Sequence, residues 1–124
     1  MFAAMTVRRK RLGKKGEEEA AGYLKKIGYR VICRNYTCAI GEIDLIALDK
    51  GVIVFVEVRS HSSAEYGLPQ ESVTKRKQHK LRQLAWHYLI THGKTDSSCR
   101  FDVIGILFDM EDGVHRLDHI TNAF

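Results

Sequence analysis

Hydrophobic and polar positions follow two periods along the chain, which together predict two helices and five strands. From about Leu12 to Ile27, apolar residues recur every three to four positions, as on one face of an amphipathic helix, and Gly28 follows as a typical C-terminal stop. A second helix is predicted from about Ser72 to His92, ending at Gly93. Five segments rich in β-branched and aromatic residues are predicted strands: YRVICRNY, IGEIDLIALD, GVIVFVEVR, RFDVIGILFD and VHRLDHI.

The third strand indicates the architecture. Residues 52–58, VIVFVEV, include five β-branched residues and one aromatic residue, so both faces of the strand are apolar until Glu57. A strand of this composition belongs in the middle of a sheet that is covered on both sides. The element order α-β-β-β-α-β-β therefore predicts an α/β fold, with a mixed β-sheet flanked by helices.

The turn between the second and third strands predicts their register. If Lys50-Gly51 is the two-residue loop of a hairpin, Asp44 lies directly opposite Glu57. Glu42 then lies opposite Arg59. A loop one residue longer would reverse this parity, and the hydrophobic pattern leaves that second register open.

Three acidic residues are predicted to converge. Two carboxylates facing each other across strands, with Cβ atoms roughly 5 Å apart, repel, and partial burial increases the cost. A shared proton, a neighbouring cation or a divalent metal must therefore compensate Asp44 and Glu57. Glu17 lies on the apolar stripe of the first helix beside Gly13, which would allow a close approach to the sheet, and it also needs a partner there. Such oxygen-rich sites suit Mg²⁺ or Mn²⁺.

A buried network of Glu and Arg side chains without a metal would satisfy the same pattern. Glu42 opposite Arg59 is an ordinary cross-strand ion pair, and Glu17 could reach Arg59 or Lys77 instead. Lys77 lies four residues before Leu81, so its ammonium group either approaches the acids or extends to solvent. The second arrangement is the more typical one for a lysine.

Length and composition restrict the class of protein. A chain of 124 residues with 44% hydrophobic residues supports one domain with one core. No apolar run approaches the roughly 20 residues needed to cross a bilayer, so we expect no membrane partner. The charges of residues 1–16 follow a short apolar piece, the reverse of a secretory signal. The odd number of cysteines, three, predicts reduced thiols and a cytoplasmic location. Cys33 and Cys38 lack the second ligand pair that a zinc site needs.

The net charge of +5 is concentrated in two places. Residues 1–15 hold six basic side chains and no acid, whereas acidic residues slightly outnumber basic ones in the rest of the chain. We predict a flexible basic tail over residues 1–11 and a single domain over residues 12–124. The second helix begins with a basic cluster that suits a phosphate backbone, although a solvated helix face would look the same. Candidate nucleic-acid contacts are Lys75, Arg76, Lys77 and Lys80, with Gln70 in the preceding loop.

Several short blocks identify a family resemblance. GEIDLIA followed by FVEVR, with GEEEAAGYL upstream, SVTKRKQHKL downstream and RFDVI near the end, resembles the YraN-like family of small bacterial proteins. These proteins are often labelled endonucleases and are related to archaeal Holliday junction resolvases. The resemblance extends from about Leu12 to Phe124. It implies a restriction-endonuclease-like fold, in agreement with the predicted element order.

The resemblance also implies an active site of the PD-(D/E)XK type. Asp44 corresponds to the motif aspartate, Glu57 to the second acid, and Glu17 to the additional helix acid of the resolvase branch. The backbone carbonyl of Val58 would be a further ligand of Mg²⁺. Arg59 stands where the motif has lysine, and it departs from the pattern because an arginine keeps its charge but cannot act as a base.

The function expected from this resemblance is metal-dependent cleavage of DNA phosphodiesters, with branched DNA as a candidate substrate. A resolvase-like activity would favour a two-fold homodimer, since two strands must be cut symmetrically. Two alternatives remain open. The chain is either a nucleic-acid-binding module of the same fold that does not cut, or a protein-docking scaffold whose acids form only internal ion pairs.

Overall fold

A computed structural model describes residues 2–62 and 73–124, with side chains from Val7 onward. The predicted loop after the third strand, including Gln70, lies outside these residues. Two helices and five strands follow the predicted order: α1 (Phe2–Lys26), β1 (Arg30–Cys38), β2 (Gly41–Asp49), β3 (Val52–Ser62), α2 (Lys75–Thr91), β4 (Cys99–Phe108) and β5 (Val114–Ile120).

The first helix is longer than the sequence predicted. It begins at Phe2 instead of near Leu12, so the segment predicted as a flexible tail is the first part of α1. The start of the helix is tied to the turn between β4 and β5, where Arg8 and Arg11 pair with Asp112. These contacts join residues about one hundred positions apart, which local periodicity does not detect.

The five strands form one mixed sheet in the order β1-β2-β3-β4-β5. β3 and β4 are parallel and the other neighbouring pairs are antiparallel. β3 is the central strand, as its composition predicted. Its even-numbered residues, such as Val54, pack with α1, and its odd-numbered residues, such as Phe55, pack with α2. Because side chains alternate across a strand, the two helices cover opposite faces of the sheet.

The predicted hairpin register is confirmed. Lys50 and Gly51 have φ values of 50° and 86°, the left-handed conformation that a two-residue type I′ turn requires at both positions. Asp49 pairs with Val52, and the ladder continues in this register as far as Leu45, which pairs with Val56.

A different glycine from the predicted one brings α1 close to the sheet. A Cβ atom on Gly16 would lie 1.9 Å from Ser60 Oγ, whereas one on Gly13 would meet no atom within 4 Å. The prediction for Gly13 was therefore wrong, and Gly16 is the point of close approach. It immediately precedes Glu17, so the contact of the helix with β3 also determines where this carboxylate lies.

Candidate functional site: a carboxylate cluster between α1, β2 and β3

Asp44 and Glu57 interact directly, as the hairpin register predicted. Asp44 Oδ2 accepts a hydrogen bond from the backbone N–H of Val58 at 2.8 Å, and its carboxyl group is hydrogen-bonded to Glu57. Burial, followed by the charge and hydrogen bond of Glu57, raises the pKa of Asp44 to about 8, against the opposing effect of the Val58 amide. A pKa of this size favours a protonated Asp44 carboxyl group at neutral pH, hydrogen-bonded to Glu57.

Glu17 is the third predicted acid of this site. Burial and then the charge of Glu42 raise the pKa of the Glu17 carboxyl group, while hydrogen bonding to Asn35 and the charge of Arg34 lower it. The charge of Glu57 also contributes to the increase in its pKa. Glu17 thus lies within the electrostatic field of the acids on the sheet.

Glu42 and Asn35, which the sequence did not assign to the site, also belong to the carboxylate cluster. Carboxylate oxygens of Glu17, Glu42 and Asp44 all lie within 4.8 Å of one another. With its amide oriented to donate, the side-chain nitrogen of Asn35 lies 2.6 Å from Glu17 Oε1 and 3.1 Å from Glu42 Oε1. Asn35 thus connects the helix acid to the acid at the start of β2.

The local backbone explains why strand alternation missed Glu42. Ile43 packs on the α2 side of the sheet and Leu45 packs on the α1 side, although residues two apart on a regular strand share a face. Opposite this point, Asn35 has a φ of 54°, which asparagine adopts more readily than most residues. The paired strands therefore bend at Asp44. The ladder between β2 and β3 ends at Leu45 and Val56, so the predicted pair of Glu42 and Arg59 does not form, and Arg59 contacts Glu57 instead.

Two cations meet on one oxygen of Glu57. Lys77 Nζ lies 3.5 Å from Glu57 Oε2, and Arg59 Nη1 lies 3.7 Å from the same atom. The Glu57 side chain is only 4% exposed, whereas the Lys77 side chain is 42% exposed. Lys77 therefore approaches the acids instead of extending only to solvent, which was the less typical of the two predicted arrangements.

The remaining candidate residues lie on α2 or outside the described residues. Lys75, Arg76 and Lys80 are exposed on α2. Gln70 lies outside the described residues. The backbone N–H of Val58 binds Asp44, while the predicted role of the Val58 carbonyl as a metal ligand remains a prediction.

The basic N-terminal segment is partly neutralised within the molecule. Arg8 and Arg11 pair with the Asp112 carboxylate, and Lys15 Nζ donates to the Asp112 carbonyl oxygen. The guanidinium groups of Arg8 and Arg11 lower the pKa of Asp112. These three cations are therefore less available to a phosphate backbone than a free basic tail would be.

A second group of charged residues lies in the sheet at β4 and β5. Asp102 is fully buried and accepts hydrogen bonds from Arg100 Nε at 2.9 Å and from the Asn122 backbone N–H at 3.0 Å. His119 Nε2 lies 2.8 Å from Asp102 Oδ2, and His119 Nδ1 lies 3.0 Å from the hydroxyl of Tyr23. Asp102 is thus fully paired by neighbouring groups, in contrast to the crowded acids near Asp44.

The oxygen-rich donor set of the carboxylate cluster fits a hard divalent cation. Mg²⁺ and Mn²⁺ prefer carboxylate and water oxygens. Burial and the neighbouring carboxylates raise the pKa of Asp44 and of Glu17, and a bound dication would remove that repulsion. The residues that could contribute oxygens are Glu17, Glu42, Asp44 and Glu57.

Comparison with known proteins gives a consistent family assignment. Residues 16–106 match the sequence model of the uncharacterised protein family UPF0102. A UPF0102 protein of Pelotomaculum thermopropionicum is 58% identical over 116 residues, covering 94% of this chain and 97% of the relative. A UPF0102 protein of Desulforamulus reducens is 52% identical over 121 residues, covering 96% and 99% of the two chains. The resemblance to the YraN-like family is thereby confirmed at the level of the family.

Hydropathy gives one further result. Neither of the two helices in the described part of the chain combines the length and the apolar composition needed to span a bilayer.

Proposed function

The chain belongs to the uncharacterised protein family UPF0102, and we propose that it is a metal-dependent endonuclease of restriction-endonuclease-like fold. Its substrate would be structured DNA, cut in the manner of a Holliday junction resolvase. The observation that carries the proposal is the convergence of Glu17, Glu42 and Asp44 oxygens within 4.8 Å, beside the Asp44–Glu57 pair. The organisation of two acids on a central hairpin and one on the first helix matches the PD-(D/E)XK pattern that the sequence resembles.

The acids would hold Mg²⁺ or Mn²⁺ through Glu17, Asp44 and Glu57, with the Val58 carbonyl as a further ligand and Glu42 at the edge. A divalent ion bound there supplies Lewis-acid chemistry, lowering the pKa of a bound water and stabilising charge on the phosphate. The Val58 N–H holds Asp44 at 2.8 Å, so the backbone of β3 orients the acid of β2. Asn35 in turn keeps Glu17 and Glu42 at a common position.

Arg59 would stabilise negative charge on the phosphate. Its guanidinium group lies 3.7 Å from Glu57 at the edge of the cluster, with one third of the side chain exposed. An arginine remains protonated and offers a planar set of donors that matches phosphate oxygens. Arg59 is therefore suited to electrostatic stabilisation and not to proton abstraction.

The exposed cations of α2 would supply contacts to the DNA backbone. Lys75, Arg76 and Lys80 lie on the helix that also brings Lys77 to the acids. A surface of this charge binds phosphates without reading base sequence, and its affinity should fall steeply with salt. Recognition would therefore depend on the shape of the DNA. Symmetric cutting of a junction would require a two-fold homodimer.

Cleavage of a fixed four-way junction and of a matched linear duplex in Mg²⁺, Mn²⁺ or EDTA tests the proposal. Wild-type protein should cut the junction only with a metal, and Asp44→Asn and Glu57→Gln should each lose activity. Asp96→Asn, at an exposed position away from the cluster, removes the same charge and should cut normally. Calorimetric titration with Mn²⁺ should show saturable binding that both active-site variants lose.

Two outcomes would support the alternatives. Junction binding in EDTA without cleavage in either metal would indicate a nucleic-acid-binding module that does not cut. Arginine at the position of the motif lysine is the observation that favours this second candidate. No binding to DNA at low salt, together with no Mn²⁺ binding, would indicate a scaffold whose acids are only internally paired.

A further inference from the structure

We infer that Lys77 is a positioning residue of the carboxylate site. Helix α2 brings its ammonium group to Glu57, where it takes the role of the motif lysine that Arg59 fills only in part. This inference rests on the proposed endonuclease function. The motif position after Glu57 carries an arginine, so the lysine of the pattern is absent from β3. Lys77 brings a lysine to the same carboxylate oxygen from the other side of the site.

The start of α2 holds the Lys77 backbone in place. Thr74 is the N-cap, and its hydroxyl accepts a hydrogen bond from the Lys77 backbone N–H at 3.2 Å. One turn later, Leu81 is 2% exposed and packs in the cluster that covers this face of the sheet. Residues four apart on a helix lie on the same side, so the stem of Lys77 follows Leu81 toward the sheet.

Local helix chemistry does not explain a lysine at this position. Lys77 is the third residue after the N-cap, where a capping box has Glu or Gln whose side chain returns to the N-cap backbone. The first turn of α2 contains no acidic residue, so three consecutive cations stand at the positive end of the helix dipole. Cations at that end are unfavourable for helix stability. The interaction of Lys77 that offsets this cost is its contact with Glu57.

That contact is too exposed to be a major source of stability. The Lys77 side chain is 42% exposed, and ion pairs with one accessible partner contribute little to folding. Glu57 would also keep Arg59, at 3.7 Å, if Lys77 were removed. Loss of the ammonium group should therefore change the site more than it changes the fold.

Among the lysines and arginines of α2, Lys77 pairs with a described acidic residue, Glu57. Within the described residues, no such ion pair is formed by the other four, Lys75, Arg76, Lys80 and Arg82. Lys80, three positions later and exposed, therefore offers a matched control. Lys77→Met and Lys80→Met each remove one charge from the same helix and retain a long aliphatic stem. Lys80→Met removes about one phosphate contact and should weaken junction binding, whereas Lys77→Met removes a charge that faces Glu57.

Three measurements on the full chain distinguish a role in the site from a role in folding. They are thermal unfolding in EDTA, Mn²⁺ affinity by calorimetry, and the single-turnover cleavage rate with the protein in saturating excess over the junction. Lys77→Met should unfold at the wild-type temperature or slightly above it, because one cation leaves the positive end of the dipole. Its cleavage rate should fall about a hundredfold, the usual scale for losing one organised charge in an active site. Lys77→Arg should recover part of that loss. Lys80→Met should lose cleavage through weaker junction binding, and its rate at saturation should fall far less than that of Lys77→Met, as expected for a uniform binding contact.

Mn²⁺ affinity provides a readout that does not depend on cleavage. A cation beside a ligand carboxylate opposes binding of a dication, so Lys77→Met should bind Mn²⁺ several-fold more tightly than Lys80→Met. If wild-type protein does not cut DNA but this difference appears, the proposed endonuclease function fails and the placement of Lys77 in the site stands. Equal Mn²⁺ affinities in the two variants would overturn the inference, as would equal cleavage rates or a large loss of stability in Lys77→Met.

Discussion

The backbone N–H of Val58 donates a hydrogen bond to Asp44 Oδ2 at 2.8 Å, so β3 holds the acid of β2 while presenting its own acid, Glu57, beside it. The hydrogen bond prevents Asp44 from swinging away from Glu57, although the two carboxyl groups would repel if both were ionised. In the metal-free protein, this arrangement is electrostatically unfavourable. Several measurable properties should depend on it.

Asp44→Asn should stabilise the metal-free protein. An amide oxygen still accepts the Val58 hydrogen bond, while the free-energy cost of keeping the buried Asp44 carboxyl group protonated beside Glu57 is removed. The gain at neutral pH should be on the order of 1–3 kcal/mol. Urea unfolding in EDTA measures it, and Asp96→Asn, an exposed change of the same kind, should leave the free energy of unfolding unchanged.

The stabilisation by Asp44→Asn should also depend on pH. The pKa of Asp44 is raised to about 8 in the folded state, above its unfolded value, so the folded protein binds more protons between these values. The wild type therefore loses stability as the pH rises from about 4 to about 8, and Asp44→Asn lacks this contribution. An advantage of Asp44→Asn that does not grow over this range would contradict the shared proton.

Mn²⁺ binding should become tighter as the pH rises. Metal ligands must be deprotonated, so the ion displaces the proton that Asp44 retains up to about pH 8. Affinity should increase by about tenfold per pH unit below this value and level off above it. Calorimetry in buffers of different ionisation heat would count the released protons. An affinity that is flat from about pH 6 to 8 would show that Asp44 is not a ligand.

Gly16→Ala should move α1 away from β3. The new Cβ would meet Ser60 Oγ at 1.9 Å and Ser60 Cβ at 3.1 Å, so the hydroxyl must rotate away and the helix or the strand must still give slightly. We expect a loss of about 1–3 kcal/mol from overpacking and a weaker Mn²⁺ affinity, because Glu17 moves with the helix. Ser60→Ala removes the closer atom, so the double variant should recover part of the stability in a double-mutant cycle. Gly13→Ala, where a Cβ meets nothing within 4 Å, is the matched control and should be neutral or stabilising.

Asp102→Ala should be strongly destabilising and independent of metal. Burial raises the pKa of Asp102, but hydrogen bonds from His119, Arg100 and the Asn122 backbone lower it further than burial raises it. Removing the carboxylate breaks the buried pair with Arg100, a change that costs about 3–5 kcal/mol when the remaining charge is left without a partner. Arg100 keeps its ion pair with Asp49 at 3.1 Å, so the loss should lie at or below the lower end of that range. Because the net shift of the Asp102 pKa is downward, its contribution to stability is complete above the unfolded pKa near 4 and is lost as the pH falls below it. Equal acid sensitivity of the wild type and the variant would contradict this assignment.

Much of the fold was accessible from local pattern. The β-branched run of residues 52–58 identified the central strand, and Lys50-Gly51 correctly predicted the register that brings Asp44 to Glu57. Both depend on interactions between near neighbours, since a two-residue turn fixes the parity of every pair that follows it. The UPF0102 relationship is also carried by the sequence alone.

Other features depend on residues far apart in the chain. The start of α1 at Phe2 is associated with its contacts to Asp112, and the close approach of the helix occurs at Gly16 because Ser60 lies opposite. The bend at Asn35 brings Glu42 toward Glu17. Strict alternation along the strand had instead predicted that Glu42 lies opposite Arg59.

The sequence by itself determined the elements, the central hairpin and the pairing of its two acids, because these follow from residue preferences and short-range geometry. Only the tertiary structure decided that Lys77 contacts Glu57 and that Glu42 and Asn35 belong to the carboxylate cluster. The physical reason is that a long side chain and a strand bend have several local conformations of similar energy. Packing of the two helices on opposite faces of the sheet selects one of them.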